Sequence, residues 1–308
     1  MTASKAEVGA GVADVALDGQ TALVTGATAG IGRETALALS RLGARVFIHG
    51  RDRDRGEAVL NELPGDGTFI PADFATQAGV TRLAEDVRAQ LEGGTIDILV
   101  HNAGGWFTDG QLTGDRIEYT FAVNHLASFR LTYELFEALA PTARIVIVSS
   151  EAHRQGSLDF TGLRSVSNYR SWNAYSRSKL ANVLFARELA DRLDAAGESI
   201  TANALHPGVI PGSGFGRHAL APLRGLMSAF GSIAAKLPVP GVDSVVEGAE
   251  TSVYLAASPA VEEVSGKYFK DCAIETPAPQ ARDDATADRL WQISEELCEI
   301  EWPLGVDA

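Results

Sequence analysis

Of 308 residues, 45% are hydrophobic and 21% charged, an ordinary globular balance with enough apolar material for a sizeable core. Twenty-six basic residues against 40 acidic ones leave a formal net charge of −14, which argues against nucleic acid or an anionic membrane as partner. Two cysteines, Cys272 and Cys298, and six scattered histidines supply no disulfide framework and no ligand spacing for a metal.

Residues 1–17 read as a flexible tail, polar and small, without the apolar stretch of a signal peptide. No later run reaches the roughly 18 apolar residues that a bilayer span needs, so the expected setting is cytoplasmic. Thr21-Ala22-Leu23-Val24-Thr25 predicts a short buried strand, and Gly26-Ala27-Thr28-Ala29-Gly30-Ile31-Gly32 follows it. Ile31, Thr35, Ala38, Leu39 and Leu42 then recur at helical spacing until Gly43 stops the helix. Strand, glycine turn, helix is the setting in which a glycine-rich segment holds a dinucleotide. Glycines let the backbone approach the ligand, and the helix start offers free N–H groups to a pyrophosphate. The spacing here is G-x-x-x-G-x-G, not G-x-G-x-x-G.

Arg45–His49 predicts the second strand, ending in Gly50-Arg51-Asp52-Arg53. An acid at this strand end would hold the adenosine ribose of NAD, whereas an arginine accommodates the extra phosphate of NADP. Gly50 stands where the acid would be and Arg51 follows, so the expected cofactor is NADP(H), with Arg53 and Arg33 as lesser candidates. Thr68–Ala72 predicts a third strand with Asp73 and Phe74 at its end, then a helix over 78–91. Ile96–Val100 is the fourth strand, followed by Asn102-Ala103-Gly104-Gly105. A long helix is expected from Tyr119 through Asn124 to Leu139, closed by Pro141. Arg144–Ser150 is the fifth strand, with two serines at its end.

Strands alternating with helices imply a doubly wound, parallel α/β sheet of Rossmann type with helices on both faces. Ligands bind beyond the carboxyl ends of such strands, where Gly26, Arg51, Asp73, Asn102 and Ser150 all fall. Leu180 to Leu193 predicts a buried helix that also carries Tyr175 and Lys179, four apart and on one side. An ammonium beside a phenol favours the phenolate and lowers the tyrosine pKa, which suits proton exchange with a carbonyl or alcohol. Ser199–Leu205 is a sixth strand, ending His206-Pro207-Gly208. Residues 209–243 read as a segment over the crevice, with a substrate lid and a plain insertion both open. A helix over 242–257, a short strand over 266–269 and an amphipathic helix over 283–299 complete a single domain over 18–308.

Taken together, Thr25-Gly26-x-x-x-Gly30-Ile31-Gly32, Asn102-Ala103-Gly104, Asn124, Ser150 and Tyr175-x-x-x-Lys179 resemble the short-chain dehydrogenase/reductase family, in its order, over residues 18–300. Gly30-Ile31-Gly32-Arg33, Val123-Asn124-His125-Leu126, Ser178-Lys179-Leu180-Ala181-Asn182, His206-Pro207-Gly208-Val209 and Val264–Phe269 with Asp271-Cys272 resemble its retinol-dehydrogenase-like branch. The resemblance implies a catalytic set of Asn124, Ser150, Tyr175 and Lys179. Tyr175 would be the general acid in ketone reduction. Lys179 would lower its pKa and hold the nicotinamide ribose, Ser150 would bond the substrate oxygen, and Asn124 would anchor a relay water. It also implies cofactor contacts at Gly26, Thr28, Gly30, Ile31 and Gly32, at Asp73 and Phe74 near the adenine, at Asn102, Ala103 and Gly104, and at Pro207, Gly208 and Val209 by the nicotinamide. No metal is implied.

The implied activity is NADPH-dependent reduction of a ketone or aldehyde on a bulky apolar substrate, with a resemblance to bacterial ketoreductases of polyketide-type aromatic ketones. Two alternatives are reduction of a carbon–carbon double bond and a non-catalytic NADP-binding regulatory protein. The family's usual threonine after Pro-Gly is replaced here by the region Pro211-Gly212-Ser213. Trp106, Phe107, Trp172 and Phe215 are candidates either for an apolar pocket wall or for simple packing, and homo-oligomerisation through the central helices is left open.

Overall fold

In the computed structural model, residues 5–208, 210 and 243–304 are described. The expected segment over 209–243, with Val209, Ser213 and Phe215, therefore lies outside the described residues except for Ile210 and Asp243.

The strands are β1 (Thr21–Val24), β2 (Arg45–Gly50), β3 (Gly67–Pro71), β4 (Ile96–His101), β5 (Leu139–Val148), β6 (Thr201–His206), β7 (Tyr268–Lys270) and β8 (Ala273–Ile274). They form one sheet in the order β3-β2-β1-β4-β5-β6-β7-β8. Every pairing is parallel except β7 with β8. The order runs outward from β1 in both directions, and the crevice lies where it reverses, between the ends of β1 and β4.

Two apolar layers sit on opposite faces because side chains alternate along each strand. Leu23, Phe47, Leu99, Ile145 and Ile147 join one layer with helices α4 (Gln77–Leu91), α6 (Ala127–Leu135), α7 (Ser171–Ala195) and α9 (Asp284–Cys298). Ala22, Val24, Val46, Ile48, Ile98, Val100 and Val146 join the other with α2 (Gly30–Arg41) and α8 (Val245–Ala257). Helix α3 (Arg53–Leu60) sends only Val59 and, in part, Leu60 into it. No helix among the described residues is long and apolar enough to cross a membrane.

Three expectations need correction. Residues 5–17 are not a loose tail: α1 (Ala6–Gly9) buries Ala6, and Ala10, Val12 and Leu17 are buried after it. Glu7, also buried, receives Nε and Nη2 of Arg41 at 2.7 and 2.8 Å. Four apolar residues diluted among polar ones carry too little periodicity to register in sequence.

The long helix over 119–139 is instead a broken rod. Its pieces are α5 (Tyr119–Phe121), a π-helical turn over Ala122–Leu126, α6 and a 3₁₀ turn over Phe136–Ala138. Leu139 already pairs with Ile96, and Pro141 sits in the register shift before Arg144, where its missing N–H costs no ladder bond.

The last strand is part of a hairpin. Asp271 and Cys272 take φ of 49° and 57°, so two left-handed residues turn β7 into the antiparallel β8. Without a glycine, that turn carried no sequence signal. Of the two readings open for Phe107, pocket wall or packing, the structure takes packing: it is buried in the core with its ring edge-on to Tyr119.

Candidate active site

The turn after β1 is held from below. Thr25 Oγ1 accepts the backbone N–H of Asn102 and of Ala103, both at 3.0 Å, and Asn102 Nδ2 donates to Thr25 O at 2.8 Å and to Gly26 O at 3.2 Å. Gly26 takes φ +65°, and a Cβ there would come 2.8 Å from Ala103 Cα. A Cβ at Gly32 would come 2.3 Å from Asn102 Nδ2. These two glycines are thus already required by the packing of the turn on β4. Gly30, at φ +59°, opens α2 behind Ala29, which brings no capping side chain. The first-turn N–H groups of α2 therefore have no side-chain acceptor from the N-cap, which fits a pyrophosphate. Ile31 is the next residue of that turn, and Ala103 and Gly104 continue from Asn102.

At the end of β2, a Cβ on Gly50 would lie 2.3 Å from Thr28 Cγ2. Thr28 fills the space an acidic side chain would need. Arg51, beyond it, is half exposed, with Nη1 donating to Tyr119 Oη at 3.2 Å and standing 3.9 Å from Asp73 Oδ1. Arg33 is engaged by Glu34 and Glu62, which weakens it as a phosphate ligand. Asp73 is exposed and accepts Ala75 N–H at 3.1 Å. Phe74 is not an open adenine surface: it is buried, with its ring stacked on His49 at 4.2 Å. Only its backbone remains for a ligand.

Across the crevice, α7 presents Tyr175 and Lys179 one turn apart, both buried. Lys179 Nζ donates to Val148 O at 2.9 Å, a carbonyl it shares with Asn182 Nδ2 at 3.2 Å. Its ammonium stands 5.8 Å from the Tyr175 ring centroid. The structure separates the two serines after β5. Ser149 is buried and its hydroxyl donates to Lys179 O at 2.7 Å. The Ser150 hydroxyl lies on the Tyr175 side and lowers the proton affinity of its phenol.

The expected lowering of the phenol by Lys179 does not hold in this structure. Burial pushes Tyr175 up to about 12, opposed by the Ser150 hydroxyl. Lys179 is itself drawn down to about 8 by burial and spends a proton on the Val148 carbonyl.

Asn124 falls in the π-helical turn, a local widening often found at functional sites. Its Oδ1 accepts Gly105 N–H and its Nδ2 donates to Gly105 O, each at 3.0 Å. Nδ2 also donates to Ser178 Oγ at 2.9 Å, and Ser178 donates to Tyr175 O at 2.7 Å. A Cβ on Gly104 would lie 3.0 Å from Asn124 Oδ1 and 3.6 Å from Lys179 Nζ. The segment after β4, the π turn and α7 therefore meet at one point. Sequence reasoning missed Ser178, Asn182 and Ser149 as its tethers, although they lie beside the residues it chose.

After β6, His206 Nδ1 accepts Glu151 N–H at 3.2 Å, which sets Pro207 and Gly208 beside the serine turn. Gly208, at φ +90°, packs on Asp243: a Cβ there would lie 2.0 Å from its Oδ2. Trp172, 39% exposed, lies with its ring 5.8 Å from Tyr175 and 6.0 Å from Trp106, and Nε1 donates to Gln155 Oε1 at 3.0 Å.

Comparison with known proteins agrees with this arrangement. Residues 20–218 match the family model described as short chain dehydrogenase. Retinol dehydrogenase 14 of Mus musculus is 40% identical over 303 residues, covering 92% of this chain and 87% of that protein. Retinol dehydrogenase 12 of Homo sapiens is 40% identical over 296 residues, covering 94% and 89%. Among solved structures, a protein of Mycobacterium paratuberculosis superposes with a TM-score of 0.76 at 29% identity, covering 98% of this chain and all of that one. The landomycin C-6 ketoreductase LanV, solved with NADP and rabelomycin, superposes with a TM-score of 0.62 at 27% identity, covering 83% and 95%. With strand, glycine turn, serine and Tyr-x-x-x-Lys helix in their places, the chain belongs to the short-chain dehydrogenase/reductase family, in its retinol-dehydrogenase-like branch.

Proposed function

We propose that residues 18–308 form one catalytic domain that reduces the ketone or aldehyde carbonyl of a bulky apolar substrate with NADPH, in a reducing cytoplasmic setting. The observation that carries the reading is the buried Tyr175 with Lys179 one turn along α7 and its ammonium 5.8 Å from the phenol ring centroid.

The bound nicotinamide supplies the hydride; the chain supplies orientation and a proton. Tyr175 O–H donates to the substrate oxygen and hands over its proton as negative charge develops there. Ser150 Oγ accepts the Ala152 N–H at 3.2 Å, which leaves its own proton to point at the same oxygen. Lys179 stands 5.8 Å from the Tyr175 ring centroid, and its remaining N–H groups would hold the nicotinamide ribose. Asn124 fixes Gly105 and, through Ser178, the carbonyl of Tyr175. A phenol held near 12 stays protonated at neutral pH, which suits the reductive direction.

The cofactor preference rests on Gly50, which has no room for an acid beside Thr28, and on Arg51 beyond it. The α2 start would hold the pyrophosphate. The substrate class rests on Trp172 and Trp106 beside Tyr175, and on similarity to proteins named as retinol dehydrogenases and a ketoreductase of an aromatic polycycle.

The test is consumption of NADPH and of NADH with one shared panel of retinoid aldehydes, aryl ketones, quinones and short aliphatic aldehydes. Preferred NADPH turnover on the large apolar carbonyls is expected. NADH preference would overturn the Arg51 reading, and turnover confined to small aldehydes would overturn the substrate class.

A further inference from the structure

Ser150 opens the segment 150–156, and His153 lies fully buried within it, at 0% exposure. Its Nδ1 stands 2.8 Å from the Ser150 carbonyl oxygen. Its Nε2 faces the backbone N–H of Ala278 at 3.1 Å. A backbone N–H only donates, so Nε2 is the bare nitrogen and Nδ1 carries the hydrogen. His153 is thus a neutral ring locked in one tautomer, donating to the backbone of Ser150. Burial holds it below its ordinary pKa range, and its ring leans on Tyr268 at 4.8 Å.

The segment that supplies Ala278 is itself fastened to the serine turn. Gln280 Nε2 is placed to donate to Arg154 O at 3.0 Å, Gly156 O at 3.2 Å and His153 O at 3.4 Å. Arg154 Nη2 donates back to Glu275 Oε1 at 2.6 Å and Thr276 O at 3.1 Å. About 125 residues of chain separate the two segments. No ligand is needed to explain these bonds. Their common effect is to fix the backbone that carries Ser150.

We propose that His153 is a positioning residue, which ties the Ser150 carbonyl to the segment Glu275–Gln280 and so aims the Ser150 hydroxyl at Tyr175. The proposal rests on the reading of Ser150 and Tyr175 given above. Its physical basis is the short lever between the Ser150 carbonyl and Oγ. The carbonyl carbon and the Cβ that bears Oγ hang from the same Cα, so a shift of that Cα carries both, and a misplacement of about 1 Å at a reacting centre costs on the order of 100-fold. Loss of an outer partner of a site residue typically costs about 10- to 100-fold.

Two substitutions divide the ring's two bonds. His153→Asn keeps an amide nitrogen near Nδ1 for the Ser150 carbonyl and gives up Ala278. His153→Gln reaches toward Nε2, keeps a partner for Ala278 and gives up the side-chain bond to Ser150 O, which then keeps only the backbone N–H of residue 153 at 3.0 Å. Both are assayed beside Ser150→Ala, with kcat, KM, NADPH affinity and thermal midpoint measured for each. The expected result is a kcat for His153→Gln reduced about 10- to 100-fold with NADPH affinity unchanged. His153→Asn should recover to within about fivefold of the parent, although both midpoints fall alike. Equal loss of kcat in both variants, tracking the midpoint, would mean that His153 only packs and would overturn the proposal. Retained kcat in His153→Gln while Ser150→Ala is inactive would overturn it while leaving the site reading intact. Retained kcat in Ser150→Ala would overturn the site reading, and the proposal with it.

Discussion

The two ends of the crevice are built on opposite principles. At the Tyr175 end, Lys179, Asn124, Ser149 and Ser178 are buried and each is tied to backbone or to one another. At the Arg51 end, Arg51 and Asp73 are half exposed and their contact is 3.9 Å long. A proton must be delivered within tenths of an ångström, so that end is over-determined by short buried bonds. On the proposed reading that end would recognise a phosphate by charge and reach, which half-exposed side chains can supply. Function at the first end should be coupled to stability, and at the second nearly independent of it.

The largest effect that probes this contrast is Tyr175→Phe. It removes the proton donor and should lower kcat by about 1,000-fold or more while NADPH affinity, read by fluorescence titration, stays within about twofold. Substantial turnover in this variant would break the comparison at its stronger end.

Next comes Glu118→Gln. Glu118 is 1% exposed, accepts Thr120 N–H at 2.7 Å and Phe121 N–H at 3.0 Å, and pairs with Arg177 at 3.1 Å. It joins α7 to the start of the rod that carries Asn124. Arg177, half-buried and also donating to Asp159 O at 3.3 Å, would lose its charged partner, which should cost about 1.5–3 kcal/mol in denaturant unfolding. A loss below about 0.5 kcal/mol would show that this end is less rigidly coupled than its burial implies.

Arg51→Ala should do the reverse. kcat/KM for NADPH should fall about 10- to 30-fold, as for loss of a charge-assisted bond, with NADH turnover and the unfolding midpoint unchanged. A fall in stability would blur the contrast, and an unchanged NADPH preference would move the phosphate contact elsewhere.

The smallest effect is a slope. Tyr175 is pushed up to about 12 by burial, so its phenol carries a proton throughout neutral pH. The acid form acts in reduction, which should be flat from pH 6 to about 8. The base form acts in oxidation, and its fraction grows tenfold per pH unit below the pKa, so log kcat for alcohol oxidation should climb with a slope of about 1. A plateau below about pH 8 would place the phenol of the working complex well below its value here.

How much of this was legible in sequence depended on range. Gly26, Gly30 and Gly32 were legible because glycines between a strand and a helix form a local pattern, although it is Asn102 and Ala103 that leave no room for a Cβ at Gly26 and Gly32. Tyr175 and Lys179 were legible because four residues on a helix make one side. The same locality hid the tail over 5–17, whose burial comes from α2 and α8. It also hid the β7–β8 hairpin, whose left-handed Asp271 and Cys272 bear no glycine. Phe74 and Phe107 have their rings in the core, which sequence could not decide, because an aromatic residue in the segment beyond a strand reads the same packed or facing a ligand.

What the sequence determined by itself was the alternation of strand and helix, and with it the parallel sheet and the strand ends at which a site must form. Those follow from periodicity, which is a local property of the chain. What only the tertiary structure decided was which serine faces Tyr175, that Thr28 fills the place of an acid beside Gly50, and that burial rather than Lys179 sets the phenol's proton affinity. Each of these depends on residues brought together from different elements, and on a desolvation that no single segment of the sequence contains.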